Sequence, residues 1–378
     1  MAGATNSNTI DDLLLDVISR QYGFGGMYTS TYNVFRGLNT LGGLPSVPRN
    51  MDNQGMVFFT KPCLNLSQDN VNMVRKLSFL TDYSEDGMPN IIRCMLMPPD
   101  HLVGGGFSSK GATRSKIIDD LNPFMPITNL LDTMSSPPDL NADNYITSEG
   151  YLREQTGHID NGPGILHSYD LTHSYVNMEG DPISTLFDVW VSYPQYVKIG
   201  LMRAFPINMV ENRYENQTRI IKLTLDKTRR FIQKIFVTIG YPYTVPLGGV
   251  HGFKRSEHLN QENNQIQIAF KCFGAYYNDP ILLKEFNALV ASWNPDMSYD
   301  KDTWEVTGNS VKVDGIAPNK IPWRLLLNNR LYPHISRNNE LEWYANQDDY
   351  NAVKAFVTNE MSSKLQTNSK IILPNLIK

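Results

Sequence analysis

Gln265-Ile-Gln-Ile-Ala-Phe-Lys-Cys-Phe273 is the stretch from which the fold is read. Ile266, Ile268, Phe270 and Cys272 alternate with Gln265, Gln267 and Lys271, a period of two that puts the apolar set on one face of a strand. One face is therefore core. Working upstream, Arg219–Asp226 and Arg230–Ile239 read as two more strands joined through Asp226-Lys-Thr-Arg229, a β-hairpin. Before them, Ile165–Met178 predicts a strand and Ile183–Tyr193 a helix, with Asp181 as its cap and Pro182 in its first turn. Downstream, Pro280–Ser292 predicts a helix with Ile281, Leu282, Phe286 and Leu289 on its buried side.

The pattern loosens toward both ends. Ile10, Leu13, Leu14, Val17 and Ile18 make an amphipathic helix of Asn8–Arg20, capped by Asn8 or Thr9 and with Asp11 and Asp12 in its first turn. Gln21–Gly55 then mixes glycines with Tyr22, Phe24, Tyr28, Tyr32 and Phe35 and reads as an ordered arm. Its aromatic side chains need a surface, on their own domain or on a neighbouring subunit. A strand at Met56–Thr60, a helix opened by Ser67 and running to Leu80, and a strand at Ile91–Met97 stopped by Pro98 and Pro99 follow. His101–Gly162 is irregular apart from a helix at Arg114–Leu121. After Trp293 come short strands at Trp304–Val306, Ser310–Val313, Trp323–Leu327 and Leu341–Tyr344, a helix at Gln347–Thr358 and an extended end from Met361 to Lys378. The expected divisions are 1–55, 56–162, 163–292 and 293–378, with no internal repeat.

Composition narrows the function. The 378 residues carry 34 basic against 38 acidic side chains, a formal charge of −4, with no dense Lys/Arg tract. Nothing supplies the counterion release that drives nucleic-acid binding, so sequence-specific nucleic acid is not an expected partner. Cys63, Cys94 and Cys272 are odd in number and far apart, which suits buried thiols made in a reducing compartment. The N-terminus has acidic residues where a signal peptide needs basic ones. No run reaches the ~18 apolar residues of a membrane span, so membrane insertion is not expected.

Motifs for chemistry fail on spacing. His167-x-x-Asp170-x-x-His173 on a strand places the two histidines ~20 Å apart on one face and Asp170 on the other, which cannot hold one metal ion. Two hydrogen-bonded histidines on a half-exposed strand are expected instead. Gly106-Phe-Ser-Ser-Lys110-Gly111-Ala-Thr113 lacks the Lys that follows the second Gly of a phosphate loop, and Gly23-Phe-Gly25-Gly26 lacks a preceding strand. His251 and His258, with Lys254 and Glu257, do not have zinc spacing. The pairs Asp119-Asp120, Asp348-Asp349 and Glu340/Glu342 read as solvated charge, and no Gly-x-Ser-x-Gly occurs. The expectation is no catalytic, cofactor-binding or metal-ligating residue, no cofactor, and no enzyme.

From Gly164 to Tyr277 the order is strand, a helix containing Phe187-Asp188-Val189-Trp190, hairpin, Tyr241-Pro242 with Val245-Pro246, and the closing strand Asn264–Phe270. This resembles the tail-tube fold of contractile-tailed bacteriophages. Gly180-Asp181-Pro182-Ile183, Arg213-Tyr214 with Thr218-Arg219-Ile220, Gln233-Lys234-Ile235 and Tyr277-Asn278-Asp279-Pro280 are similar to phrases in structural proteins of large-genome phages. Phe58-Phe59-Thr60-Lys61-Pro62 with Leu64-Asn65-Leu66 belongs with them, although Cys63 stands where an acidic residue is expected.

The resemblance implies an α+β chain: a mainly antiparallel, tail-tube-like sandwich or barrel with a flanking helix, plus smaller N- and C-terminal α+β units. It implies a non-enzymatic virion structural protein, made in the host bacterial cytoplasm and resident in the tail. Its partners would be copies of itself in a six-fold ring and other phage tail proteins, joined by intersubunit strand and arm contacts. The added terminal units imply a specialised tube, baseplate or tail-end adaptor. The alternative reading from the residues is a virion module whose exposed aromatic and Asn/Gln side chains recognise host-surface carbohydrate.

Overall fold

The computed structural model describes residues 53–357 apart from 82–83, 85–86, 100–101, 103–113, 116, 140–143, 160–164, 207, 209–215, 251–264, 314–321 and 328–329. The predicted N-terminal helix, most of the aromatic arm and the C-terminal extension lie outside the described residues.

The alternation at Gln265 produces the strand it predicts, and that strand runs on to Tyr277. Six strands make one sheet: β1 (Asn53–Phe59), β2 (Leu131–Met134), β5 (Ile165–Val176), β6 (Thr218–Leu225), β7 (Ile232–Thr244) and β8 (Gln265–Tyr277). Their order is β1-β6-β7-β8-β5-β2, and the sheet curls into a nearly closed barrel in an α+β chain. The hairpin forms as read, antiparallel from Thr218 opposite Gly240 to Leu225 opposite Ile232. β1 passes so close to β6 that a Cβ on Gly55, at φ +81°, would stand 1.6 Å from the Leu223 carbonyl oxygen.

Each face of the sheet is covered over part of its length. On one face Leu171, Tyr175, Ile266, Ile268, Phe270 and Cys272 meet two helices, α2 (Met88–Leu96) and α3 (Pro182–Lys198), the latter through Leu186, Phe187, Trp190 and Tyr193. On the other, Ile221, Leu223, Leu225, Ile235 and Val237 meet α4 (Pro280–Trp293) through Leu282, Leu283, Phe286 and Val290. This second core also takes in a small sheet ordered β10-β11-β9, made of β9 (Ser310–Lys312), β10 (Tyr332–Ile335) and β11 (Leu341–Asn346). Buried Asn287 on α4 stands in for a missing strand beside β10: its Nδ2 donates to the Ile335 carbonyl at 2.7 Å, and its Oδ1 accepts from the Ile335 N–H at 2.8 Å. Asn287→Ala leaves both backbone groups unpaired and is expected to cost about 2 kcal/mol in a urea titration. A loss below a few tenths would show that water replaces the side chain.

Several elements differ from the sequence reading, each for a local reason. Ser67–Leu80 is a short helix, α1 (Gln68–Asn72), followed by a 3-10 helix at Arg75–Thr81. Val71, Val74, Leu77 and Leu80 are all buried at a spacing of three, the period of a 3-10 turn rather than of an α-helix. Of the predicted strand Ile91–Met97, Ile91–Leu96 lies in α2 and Met97 caps it; a short continuous apolar run fits either state, and Pro89 in the first turn favours the helix. The described part of Arg114–Leu121 is not helical. There Ser115 Oγ accepts from Ile117 N–H, and Asp119 Oδ1 from Leu121 N–H, side-chain bonds that compete with helical ones.

Trp323–Leu327 is a one-turn helix, α5 (Trp323–Leu326), begun after Pro322, and Trp304–Val306 contributes only one bridge, Tyr299 to Val306. On α4, Ile281 is exposed, while the buried stripe runs Leu282, Leu283, Phe286, Asn287, Val290, Trp293 and Leu289 packs at its margin. Asp181 occupies the cap position of α3, yet its carboxylate bonds Asn177 Nδ2 instead of a helix amide. A helix over 347–357 ends the described chain, packing Tyr350 on Trp323 at 4.9 Å.

Candidate assembly surface

A sheet that does not close has two rims. That of β1 is occupied: Lys61 N–H donates to the Pro123 carbonyl at 2.8 Å, Met125 N–H to the Phe59 carbonyl at 2.8 Å, and Thr60 bridges Phe124. The rim of β2 is different. β2 pairs with β5 along one side, and among the described residues no strand lies along its other side, where Asp132 and Thr133 are exposed. An open rim of this kind is a template for another chain's backbone.

Between β2 and β5 the chain makes a separate two-stranded hairpin, β3 (Asn144–Ile146) and β4 (Gly157–Ile159), paired Asn144–Ile159, Tyr145–His158 and Ile146–Gly157. All six strand residues are exposed, as are Tyr151 and Leu152 in its turn. A third surface lies on the sheet itself. Beyond the area covered by α4, Tyr241, Phe273 and Tyr276 project from one face of β7 and β8, with the Tyr241 and Phe273 rings 6.0 Å apart.

The residues considered for chemistry do not converge. His167 is exposed and His173 buried, because the pairing of β5 with β8 shifts register between Ile165 and Ser168; Asp170 pairs with Lys271 at 3.2 Å. His173 is not hydrogen-bonded as expected: neither ring nitrogen has a partner, and the ring sits among Phe59, Tyr175 and Phe270, which pushes its pKa down to about 3 by desolvation. His334 on β10 is the same case between Tyr299 and Tyr344, held at about 4 by burial against a partial opposing pull from Glu342. These imidazoles are neutral core groups.

The acidic pairs are not plain solvated charge. Asp119 accepts from Tyr332 Oη at 2.7 Å, and Asp120 faces Arg114 at 3.6 Å. Glu340 bonds Arg230, Glu342 bonds Lys312 at 2.8 Å, and Asp349 faces Arg330 at 3.8 Å. Each of these five carboxylates has its own cation or hydroxyl and is held by it rather than by a second acid. Lys61, buried beside a cavity of about 1320 Å³, donates to the Asp119 carbonyl at 2.6 Å; burial draws its pKa down to about 8, against the raising pull of Asp120 and Asp119. Cys94 and Cys272 are buried, and burial pushes the Cys272 thiol up to about 12. Among the described residues no group of three His, Cys, Asp or Glu side chains is placed to hold a metal, and no helix is long and apolar enough to cross a membrane. The Gly106–Thr113 and His251–His258 segments, and Gly23–Gly26, lie outside the described residues.

Residues 2–361 match the family described as "Putative phage tail tube protein". The chain belongs to that family.

Among solved structures, this chain is similar to the tube-terminating cap of the anti-feeding prophage, at 11% identity and a TM-score of 0.25, over 42% of this chain and 83% of the cap. No curated protein matches its sequence. The family makes the protein a structural component of a phage tail, with other tail proteins as its surroundings. Of its surfaces, sequence reasoning missed the β3–β4 hairpin, folded into a segment read as irregular. The available signal was Asn144-Tyr-Ile and Gly157-His-Ile, two triplets each ending on isoleucine and carrying an aromatic or imidazole ring, either side of a turn-rich ten residues.

Proposed function

We propose that this protein is a non-enzymatic, ring-forming component of the virion tail, acting as a tube, baseplate or tail-end adaptor. Six copies close the ring, and strand and arm contacts between subunits join it to neighbouring tail proteins. It is made in the host bacterial cytoplasm before assembly. The observation that carries this reading is the rim of β2. Strands of 12 and 13 residues, β5 and β8, are followed by a strand of four whose outer edge has no described partner. A neighbour's strand added there satisfies the exposed backbone groups and repeats around a rotation axis. The divisions 1–55, 56–162 and 293–378 lie around 163–292, which holds four of the six strands of the main sheet, and supply the surfaces by which such a ring differs from a plain tube segment.

Mass photometry of the purified chain tests this. A species of six times 42.9 kDa is the expected result. A protein that stays single at every concentration, including those of the virion lysate, overturns it.

A further inference from the structure

The β3–β4 hairpin carries more exposed apolar surface than a solitary hairpin sustains. Tyr145 is 52% exposed, Ile146 62%, Tyr151 99%, Leu152 82% and Ile159 67%. Ile146 and Ile159 share one face of the hairpin, Tyr145 lies on the other beside His158, and Tyr151 and Leu152 are in the turn. At roughly 150–250 Å² per large side chain, the face of Ile146 and Ile159 together with the turn amounts to ~550 Å². That exceeds the few hundred Å² a monomer normally leaves uncovered and is more than half of the ~800 Å² that each partner contributes to a standard interface. Among the described residues no third strand or helix lies against these two strands, and a two-stranded hairpin is marginal in water, so a surface that receives it would supply its order.

The same chain offers one. Phe273 and Tyr276 are 39% and 45% exposed on the face of β7 and β8 that α4 leaves uncovered, with Tyr241 alongside. A projecting hairpin and an aromatic sheet face are unlike surfaces. Contact between unlike surfaces of identical chains is head-to-tail, so every copy gives one and receives one, the geometry that closes rings.

We propose that the β3–β4 hairpin of one copy seats on the uncovered β7–β8 face of a second copy. This rests on the ring-forming reading above and names the contact it uses. Two exposed double variants test it: Tyr151→Ser with Leu152→Ser on the hairpin, and Phe273→Ser with Tyr276→Ser on the face. Each alone is expected to assemble at least tenfold more weakly than the native chain, with an unchanged circular dichroism melt. Mixed in equal amounts, they are expected to form pairs and nothing larger, because the intact hairpin of one meets the intact face of the other while the second junction is doubly broken. Should the serine pair on the hairpin alter the melt, Leu152→Lys alone carries the same test.

A hairpin variant that assembles like the native chain sinks this contact and leaves the ring reading standing. Variants that weaken but fail to pair on mixing overturn the assigned face. A native chain that remains single sinks the ring reading and this contact together, which would be the outcome if a different tail protein covered the hairpin.

Discussion

Trp190→Ala is expected to lower the unfolding free energy by about 4 kcal/mol, within the ~3–5 kcal/mol range for emptying a large aromatic site. Trp190 is fully buried on α3, stacks on Phe187 with ring centroids 5.8 Å apart, and meets Phe270 of β8 edge-on at 6.2 Å. Its indole N–H also donates to the Asn216 carbonyl at 2.9 Å, so truncation strips that acceptor of its donor as well as opening a void. Trp190→Phe keeps most of the volume and loses the bond, and should fall between the two. Equal midpoints for Trp190→Ala and the native chain in guanidinium would show that α3 does not hold the sheet.

Acidification should have an effect of similar size, through His173 and His334. Both are buried and unpartnered, with folded-state pKa values lowered from the ordinary 6.5 to about 3 and about 4. Between those values and 6.5 the unfolded chain binds protons that the folded chain refuses. The stabilising contribution is therefore complete above pH 6.5 and is lost as the pH falls toward 3–4. At pH 5 each imidazole accounts for about 2 kcal/mol, and the two together for about 4 kcal/mol. His173→Leu with His334→Leu removes both. Urea titrations at pH 7.5 and 5.0 should show the native chain losing about 4 kcal/mol more than the double variant. Parallel losses in the two proteins would mean that the buried imidazoles find partners.

How much of this was legible depended on whether one residue's neighbours in sequence are its neighbours in space. The β6–β7 hairpin and β8 were readable because their alternation is local, and α4 because its stripe is long. The spacing of Val71, Val74, Leu77 and Leu80 is equally visible, but steps of three fit the margin of an α-helical stripe as well as a 3-10 turn, and only the packing separates the two. α2 was lost to a short apolar run that either structure accommodates. The failure of Arg114–Leu121 came from serine and aspartate side chains taking the amides a helix would use. The site was harder. That His173 lacks a partner follows from Phe59 and Phe270, residues more than ninety positions away on either side, and no spacing in its own segment carries that information. The open rim of β2 is a property of sheet order, which pairs segments distant in the chain, and the hairpin's exposure is a fact about what does not pack against it.

β6 places Ile220 in one core and Ile221, Leu223 and Leu225 in the other. Consecutive side chains of a single strand thus form the partition between two hydrophobic interiors. Neither interior can open without releasing the wall it shares, so heat should dissolve both in one cooperative event, with calorimetric and van't Hoff enthalpies in agreement.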